Sequence, residues 1–140
     1  MSHIDQYFED AITILKQIEK GQIEKMIEIL LNVRKHHGRL FMLGVGGCAG
    51  NCIHAVNDFR KLAGIETYSP AENIAEITAR TNDEGWETVF SEWLKCSRLN
   101  EKDAVFVLSV GGGVKKITEA RISFMPWMSQ KRKRPRLWGL

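Results

Sequence analysis

Cysteine is scarce in this sequence and badly spaced for bridging. Three residues, Cys48, Cys52 and Cys96, are odd in number, form no C-x-x-C pair and have no histidine cluster at zinc-finger spacing. A disulfide framework is therefore excluded as the organising principle, and the thiols point to a reducing compartment. Long apolar runs are missing too: no stretch approaches the ~18 residues of a membrane span. The first residues, MSHIDQYFEDAITILKQ, carry acids where a secretory leader carries bases. These absences together predict a cytoplasmic chain with no membrane span. A strong charge of one sign is also lacking, the formal net charge being only +3 over 140 residues.

What is present is a globular composition, 44% hydrophobic and 26% charged, enough for one domain. Its charge is unevenly placed. Residues 114–140 hold eight Lys/Arg against one acid, leaving twelve bases and sixteen acids in residues 1–113, a formal −4. From Ile4 to Leu31 apolar residues recur at helical spacing, which predicts two helices broken near Gly21. The pair serves either as an oligomer-forming arm or as a cover for the core.

Arg39-Leu-Phe-Met-Leu-Gly44 is a short apolar run that ends in the glycines Gly44-Val-Gly-Gly-Cys48. A helical pattern follows at Ala49, Cys52, Ile53, Val56, Phe59 and Ala63. A second strand-to-glycine unit runs from Ala104 to Ser109 and into Val110-Gly-Gly-Gly113, and Glu66–Ser69 is a candidate short strand. Thr81-Asn-Asp-Glu84 has capping-box spacing ahead of Trp86, Val89, Phe90, Trp93 and Leu94, which predicts a helix start there. The sum is a parallel α/β sheet, with ligands expected at the carboxyl ends of its strands.

Glycine loops at such ends let backbone N–H groups approach an anion, and the following helix adds its positive dipole end. Gly44-x-Gly-Gly-Cys48 is neither the Walker lysine motif nor the spaced dinucleotide fingerprint, which disfavours a triphosphate or NAD. On the following helix Asn51, His54 and Asp58 share a face by their spacing. A carboxylate and an imidazole so placed can supply a general base with a metal ligand or proton shuttle. The plainer alternative is a solvated helix face, with Asp58 paired to His54 or Lys61. Cys48 at a helix start is either a nucleophile or a small packing residue, and no histidine-based triad is evident.

Four ordered segments, Gly44-Val-Gly-Gly-Cys-Ala-Gly-Asn51, His54-Ala-Val-Asn-Asp58, Thr81-Asn-Asp-Glu-Gly-Trp86 with Phe90, and Leu108-Ser-Val-Gly-Gly-Gly113, resemble the sugar isomerase (SIS) family, within it the phosphoheptose isomerase group. The resemblance implies a doubly wound, flavodoxin-like parallel sheet flanked by helices, with an N-terminal helical arm. It implies a homotetramer with sites between subunits. The reaction implied is aldose–ketose isomerisation of open-chain sedoheptulose 7-phosphate through an enediol. Carried over by position, Gly46, Gly47, Cys48, Asn51, Ser109, Gly111 and Gly112 bind substrate or its phosphate. Asn82 and Asp83 form a substrate-side pair, Asp58 is the catalytic base, and His54 matches a zinc ligand of some members. Cys48 stands where the family usually has serine, and a thiol is the poorer donor. Asp58 stands for a glutamate and is shorter by one methylene. A non-catalytic module that senses sugar phosphates or serves in assembly is the alternative.

The segmentation expected is a partial SIS domain over 1–113, with N-terminal helices in 1–35 and an α/β core in 39–113, followed by an aberrant tail over 114–140. Lys131-Arg-Lys-Arg134 invites a nucleic-acid reading, but the genetic code offers another. New codons taken from the third base of one codon and the first two of the next, from Lys116–Ile117 onward, permit Asn-Asn-Arg-Ser-Ala-Asn-Ile-Val-His-Ala-Leu-Asp-Val-Ala-Lys. That is the pattern the family would place after the second glycine loop. Single-codon residues force Ala at Met125-Pro126, Asp at Trp127-Met128 and Gly at Trp138-Gly139, each where the family segment wants it. The tail is thus expected to be out-of-frame translation, with the later strands and a second catalytic histidine missing.

Overall fold

The computed structural model describes residues 2–110. Two helices open the chain, α1 (His3–Gln17) and α2 (Lys20–Lys35), followed by β1 (Arg39–Leu43), α3 (Gly47–Lys61) and β2 (Glu66–Tyr68). A 3-10 turn over Pro70–Glu72 leads to α4 (Ile74–Glu84). A second such turn, Trp86–Thr88, leads to α5 (Val89–Cys96) and then β3 (Ala104–Val107).

The three strands form one parallel sheet in the order β2-β1-β3. Central β1 is buried on both faces, which is why it reads as an unbroken apolar run. Its alternate residues divide the core. Leu40 and Met42 face Val33 of α2 and Cys52 and Val56 of α3, while Phe41 and Leu43 face Val89, Phe90, Trp93 and Leu94 of α5. Helices on both faces make the sheet doubly wound, as expected. Phe41 meets Trp93 edge-on, with ring centroids 5.5 Å apart. Burial of the Cys52 thiol among these side chains pushes its pKa up to about 11.

Three expectations need correction. The break between the first helices falls at Ile18–Glu19, and Gly21 lies inside α2. Only half of the pair covers the core: α2 packs Val33, Ile29 and Leu30 against it, whereas α1 has no buried residue, and Ile4, Tyr7, Phe8, Ile12, Ile14 and Leu15 are all exposed. Thr81–Glu84 is the last turn of α4 rather than the start of a helix. The Thr81 hydroxyl donates back to the Ile77 carbonyl (2.7 Å), and Gly85 at φ 85° ends the helix. The capping boxes lie instead at Ser2, which serves α1, and at Ser69, which serves the turn after β2.

Candidate functional site

The path of the chain selects one end of the sheet. From β1 it passes through α3 to β2 on one side, then crosses through α4 and α5 to β3 on the other. The strand order therefore reverses between β1 and β3. In open α/β sheets the crevice outside the carboxyl ends at such a switch point is where ligands bind. The Leu108 N–H donates to the Leu43 carbonyl at 2.9 Å, extending the β1–β3 ladder to the last residue before each loop. The loop from Gly44 to Cys48 and the one opening at Ser109 thus leave the sheet side by side. Ser109 is half-buried and Val110 exposed. Gly111 and Gly112 lie outside the described residues.

The first loop is shaped by two glycines. Gly44 is buried, and a Cβ on it would fall 2.7 Å from the Cys48 carbonyl carbon and oxygen, so the start of α3 sits directly on the end of β1. Gly46, the N-cap of α3, has φ 60° and ψ −126°, a conformation closed to other residues without strain. The turn is closed by Cys48 N–H to Val45 O (3.2 Å) and Ala49 N–H to Gly46 O (3.0 Å). No acid occupies the first turn of α3, so its positive end is unopposed within the helix. A Cβ on Gly47 would meet nothing within 4 Å. The loop is an open, exposed, electropositive cradle, and Cys48 is half-buried at its floor.

His54 and Asp58 are brought together: Nε2 and Oδ2 are 3.2 Å apart, with the imidazole 81% and the carboxylate 45% exposed. His54, rather than Lys61, is the side chain in contact with the Asp58 carboxylate. Asn51 shares their exposed side of α3, whereas Ile53, placed on the buried stripe by its spacing, is 42% exposed. The expected position beside the anion loop holds only for Asn51. Asp58 is eleven residues beyond Gly47, about 16 Å at ~1.5 Å per residue. Asn82 and Asp83 are exposed in the last turn of α4, where the Asn82 amide donates to the Asp83 carboxylate at 2.8 Å.

Among the described residues no group of three or more His, Cys, Asp and Glu could hold a metal. Two donors, one already engaged by the other, do not make the zinc centre that His54 suggests. Trp86, read by spacing as part of an apolar helical stripe, instead sits in a 3-10 turn and is 39% exposed. No periodicity signals such a position.

A parallel sheet covered by helices on both faces, with a glycine loop at its switch point, defines a doubly wound α/β protein. The comparison with known families makes the assignment specific. The family model for the SIS domain matches residues 6–122, and the chain belongs to that family. It is 31% identical over 112 residues to phosphoheptose isomerase 1 of Campylobacter jejuni serotype O:2, covering 74% of this chain and 58% of that protein. A phosphoheptose isomerase of serotype O:6 is 30% identical over the same length, with the same coverage. The chain thus spans 58% of the length of these curated relatives. Among solved structures, phosphoheptose isomerase GmhA from Neisseria gonorrhoeae superposes with a TM-score of 0.74 at 18% identity, over 97% of this chain and 83% of that one. A phosphoheptose isomerase from Francisella tularensis gives 0.70 at 20% identity, over 86% of this chain and 67% of that one. The latter two likenesses concern the fold. No helix among the described residues is long and apolar enough to cross a membrane.

Proposed function

We propose that this protein is of the phosphoheptose isomerase type, taking open-chain sedoheptulose 7-phosphate and interconverting its ketose and aldose forms. The observation that carries the reading is the carboxylate of Asp58, fixed by His54 at 3.2 Å on the helix whose start is the glycine cradle. Phosphate would sit on the N–H groups of Gly46 and Gly47 and against the Cys48 thiol, and the family resemblance adds Ser109, Gly111 and Gly112 to its partners. Asn51, Asn82 and Asp83 would take hydroxyls. Asp58 would remove the proton from the carbon beside the carbonyl while the carbonyl oxygen takes a proton from water, giving the enediol. Return of the carbon-bound proton to the adjacent carbon, as the neighbouring hydroxyl gives its proton back to water and becomes the new carbonyl, would complete the isomerisation with every atom and electron accounted for.

Three turns of helix separate the cradle of one copy from its own Asp58, so the reading is of sites shared between copies. The exposed stripe of α1 supports assembly. A lone fifteen-residue helix is marginal in water, and this one finds no core to cover. Its occupant in this reading is a second copy, up to the tetramer implied by the family. Ile12→Glu with Leu15→Glu is expected to shift the assembly to monomer in analytical ultracentrifugation. An unchanged sedimentation coefficient would remove α1 from the interface.

The deciding experiment is an isomerisation assay on sedoheptulose 7-phosphate with this chain, with a version whose frame is restored after Lys116, and with Asp58→Asn in the active one. Activity in the restored form alone is expected, with kcat falling by about 10²–10⁴ in Asp58→Asn. No turnover in either form, with sugar phosphate still bound, favours a second reading as a non-catalytic sensing or assembly module. The openness of the His54–Asp58 pair supports that second reading.

A further inference from the structure

Trp86 has no place in the isomerase reading above, and its setting is unusual. Outside α1 it is the one large aromatic side chain left exposed among the described residues. It is nonetheless held firmly. The Phe90 ring meets it edge-on at 5.7 Å, with 65° between the planes. The turn that carries it is pinned by the Thr88 N–H to Gly85 O (3.2 Å) and by the Thr88 hydroxyl to the carbonyls of Gly85 (2.9 Å) and Glu84 (3.1 Å). A fixed aromatic left open to water is a feature of recognition surfaces, since its order has already been bought by the fold.

The position of the turn adds to this. Phe90 belongs to the core cluster of Leu43, Val89 and Val107, which are the last residues of β1 and β3 and the first of α5. The cluster covers the sheet face opposite α3, and its Leu43, Val89 and Val107 end lies by the carboxyl ends of the strands. Trp86 therefore stands at the carboxyl end of the sheet, across the crevice from the start of α3. One turn before it, Asn82 and Asp83 present an exposed amide and carboxylate, already hydrogen-bonded to each other. The cradle around Gly46–Cys48 offers N–H groups and a dipole, suited to an anion. The opposite rim offers an exposed aromatic ring and, in the chain just before it, a hydrogen-bond donor and acceptor, suited together to a chain of C–H and O–H groups.

We infer that Trp86 is a specificity-determining residue: its indole face packs on the C–H groups of the polyhydroxylated chain of a phosphorylated sugar, while Asn82 and Asp83 bond its hydroxyls. The electron-rich ring face attracts the slightly positive C–H groups and excludes water from them. This rests on the sugar-phosphate reading of the cradle and adds to it a second wall, which makes affinity rise with carbon-chain length.

The test is calorimetric titration of the protein with inorganic phosphate, glycerol 3-phosphate, ribitol 5-phosphate and sorbitol 6-phosphate, probes without a carbonyl to turn over. Affinity is expected to rise along that series. Trp86→Ala should lose about 10-fold on sorbitol 6-phosphate, which corresponds to one good aromatic contact, and less than about twofold on inorganic phosphate. Trp86→Phe should recover most of the loss, which separates a stacking role from a folding one. An equal loss on inorganic phosphate overturns the inference, because it marks a merely structural residue. So does unchanged sorbitol 6-phosphate binding, with or without a change in sedimentation. If phosphate binds but wild-type affinity ignores chain length, the inference alone fails. If no probe binds, the sugar-phosphate reading fails with it.

Discussion

Asp103→Ala is expected to lower the free energy of unfolding by about 3–5 kcal/mol, the range for breaking one side of a buried ion pair. Asp103 immediately precedes β3, and its side chain is 1% exposed. One carboxylate oxygen accepts from the Arg39 backbone N–H (2.8 Å) and from Arg39 Nε (3.3 Å). The other accepts from Arg39 Nη2 (2.8 Å), the Asn100 N–H (3.0 Å) and Asn100 Nδ2 (2.9 Å). Arg39 continues the network to the carbonyls of Ser97 (2.9 Å) and Arg98 (3.0 Å), closing the α5–β3 connection onto the first residue of β1. The carboxylate raises the pKa of the Arg39 guanidinium, mainly by hydrogen bonding. Truncating Asp103 strands a charge that is mostly covered, together with two backbone donors. Urea denaturation of the variant beside wild type gives the number. A loss below about 1 kcal/mol would mean that water replaces the carboxylate, contrary to the burial seen here. The double change Arg39→Met with Asp103→Leu should cost much less than Asp103→Ala, because no charge is then left behind.

This clamp was beyond the reach of sequence reasoning, since its partners are 64 residues apart and neither belongs to a pattern. What could be read was what has a period or a composition. Strand β1 is a continuous apolar run because a strand covered on both faces excludes polar residues, and β3, Ala-Val-Phe-Val, is apolar throughout as well. The stripe of α3 was legible because its buried residues recur at one helical period, though Ile53 shows that a stripe read by spacing is wider than the one packed. The failures came where two local signals compete. Gly21 looks like a helix break, but one glycine costs only about 1 kcal/mol in a helix, and α2 accommodates it. Thr81 and Glu84 fit a capping box by spacing, but Ser69 and Asn73 had already begun the helix upstream, so the same residues close it.

The candidate site was legible to a similar depth. The His54–Asp58 pair follows from i,i+4 spacing alone, and the structure shows it formed. That the ends of β1 and β3 adjoin, where the two loops leave the sheet, depends on β1 pairing with β3 across an intervening helical segment, which is a property of strand order. The distance of Asp58 from the cradle is equally a matter of helix length: a shared face says nothing of how far along the axis two residues lie.

Substitutions at the glycines of the cradle should separate fold from ligand. Gly44→Ala places a methyl 2.7 Å from the Cys48 carbonyl group and 3.0 Å from the Ala49 nitrogen, all backbone, so no side chain can swing aside. Either β1 or the start of α3 must move. The expected cost is about 1–3 kcal/mol, as for overpacking elsewhere, with phosphate binding lost as the N–H groups are displaced. Gly47→Ala meets nothing within 4 Å and should leave stability within about 0.5 kcal/mol of wild type. Its methyl, however, would project into the open space of the cradle and weaken phosphate binding. Gly50→Ala supplies the control: it too meets nothing within 4 Å, lies within α3, and should stabilise by about 0.5–1 kcal/mol through helix propensity without touching the ligand. Thermal unfolding and phosphate titration of the three variants distinguish the cases. Unchanged phosphate binding in both Gly44→Ala and Gly47→Ala would remove this loop from the binding site and leave the anion to the loop after β3.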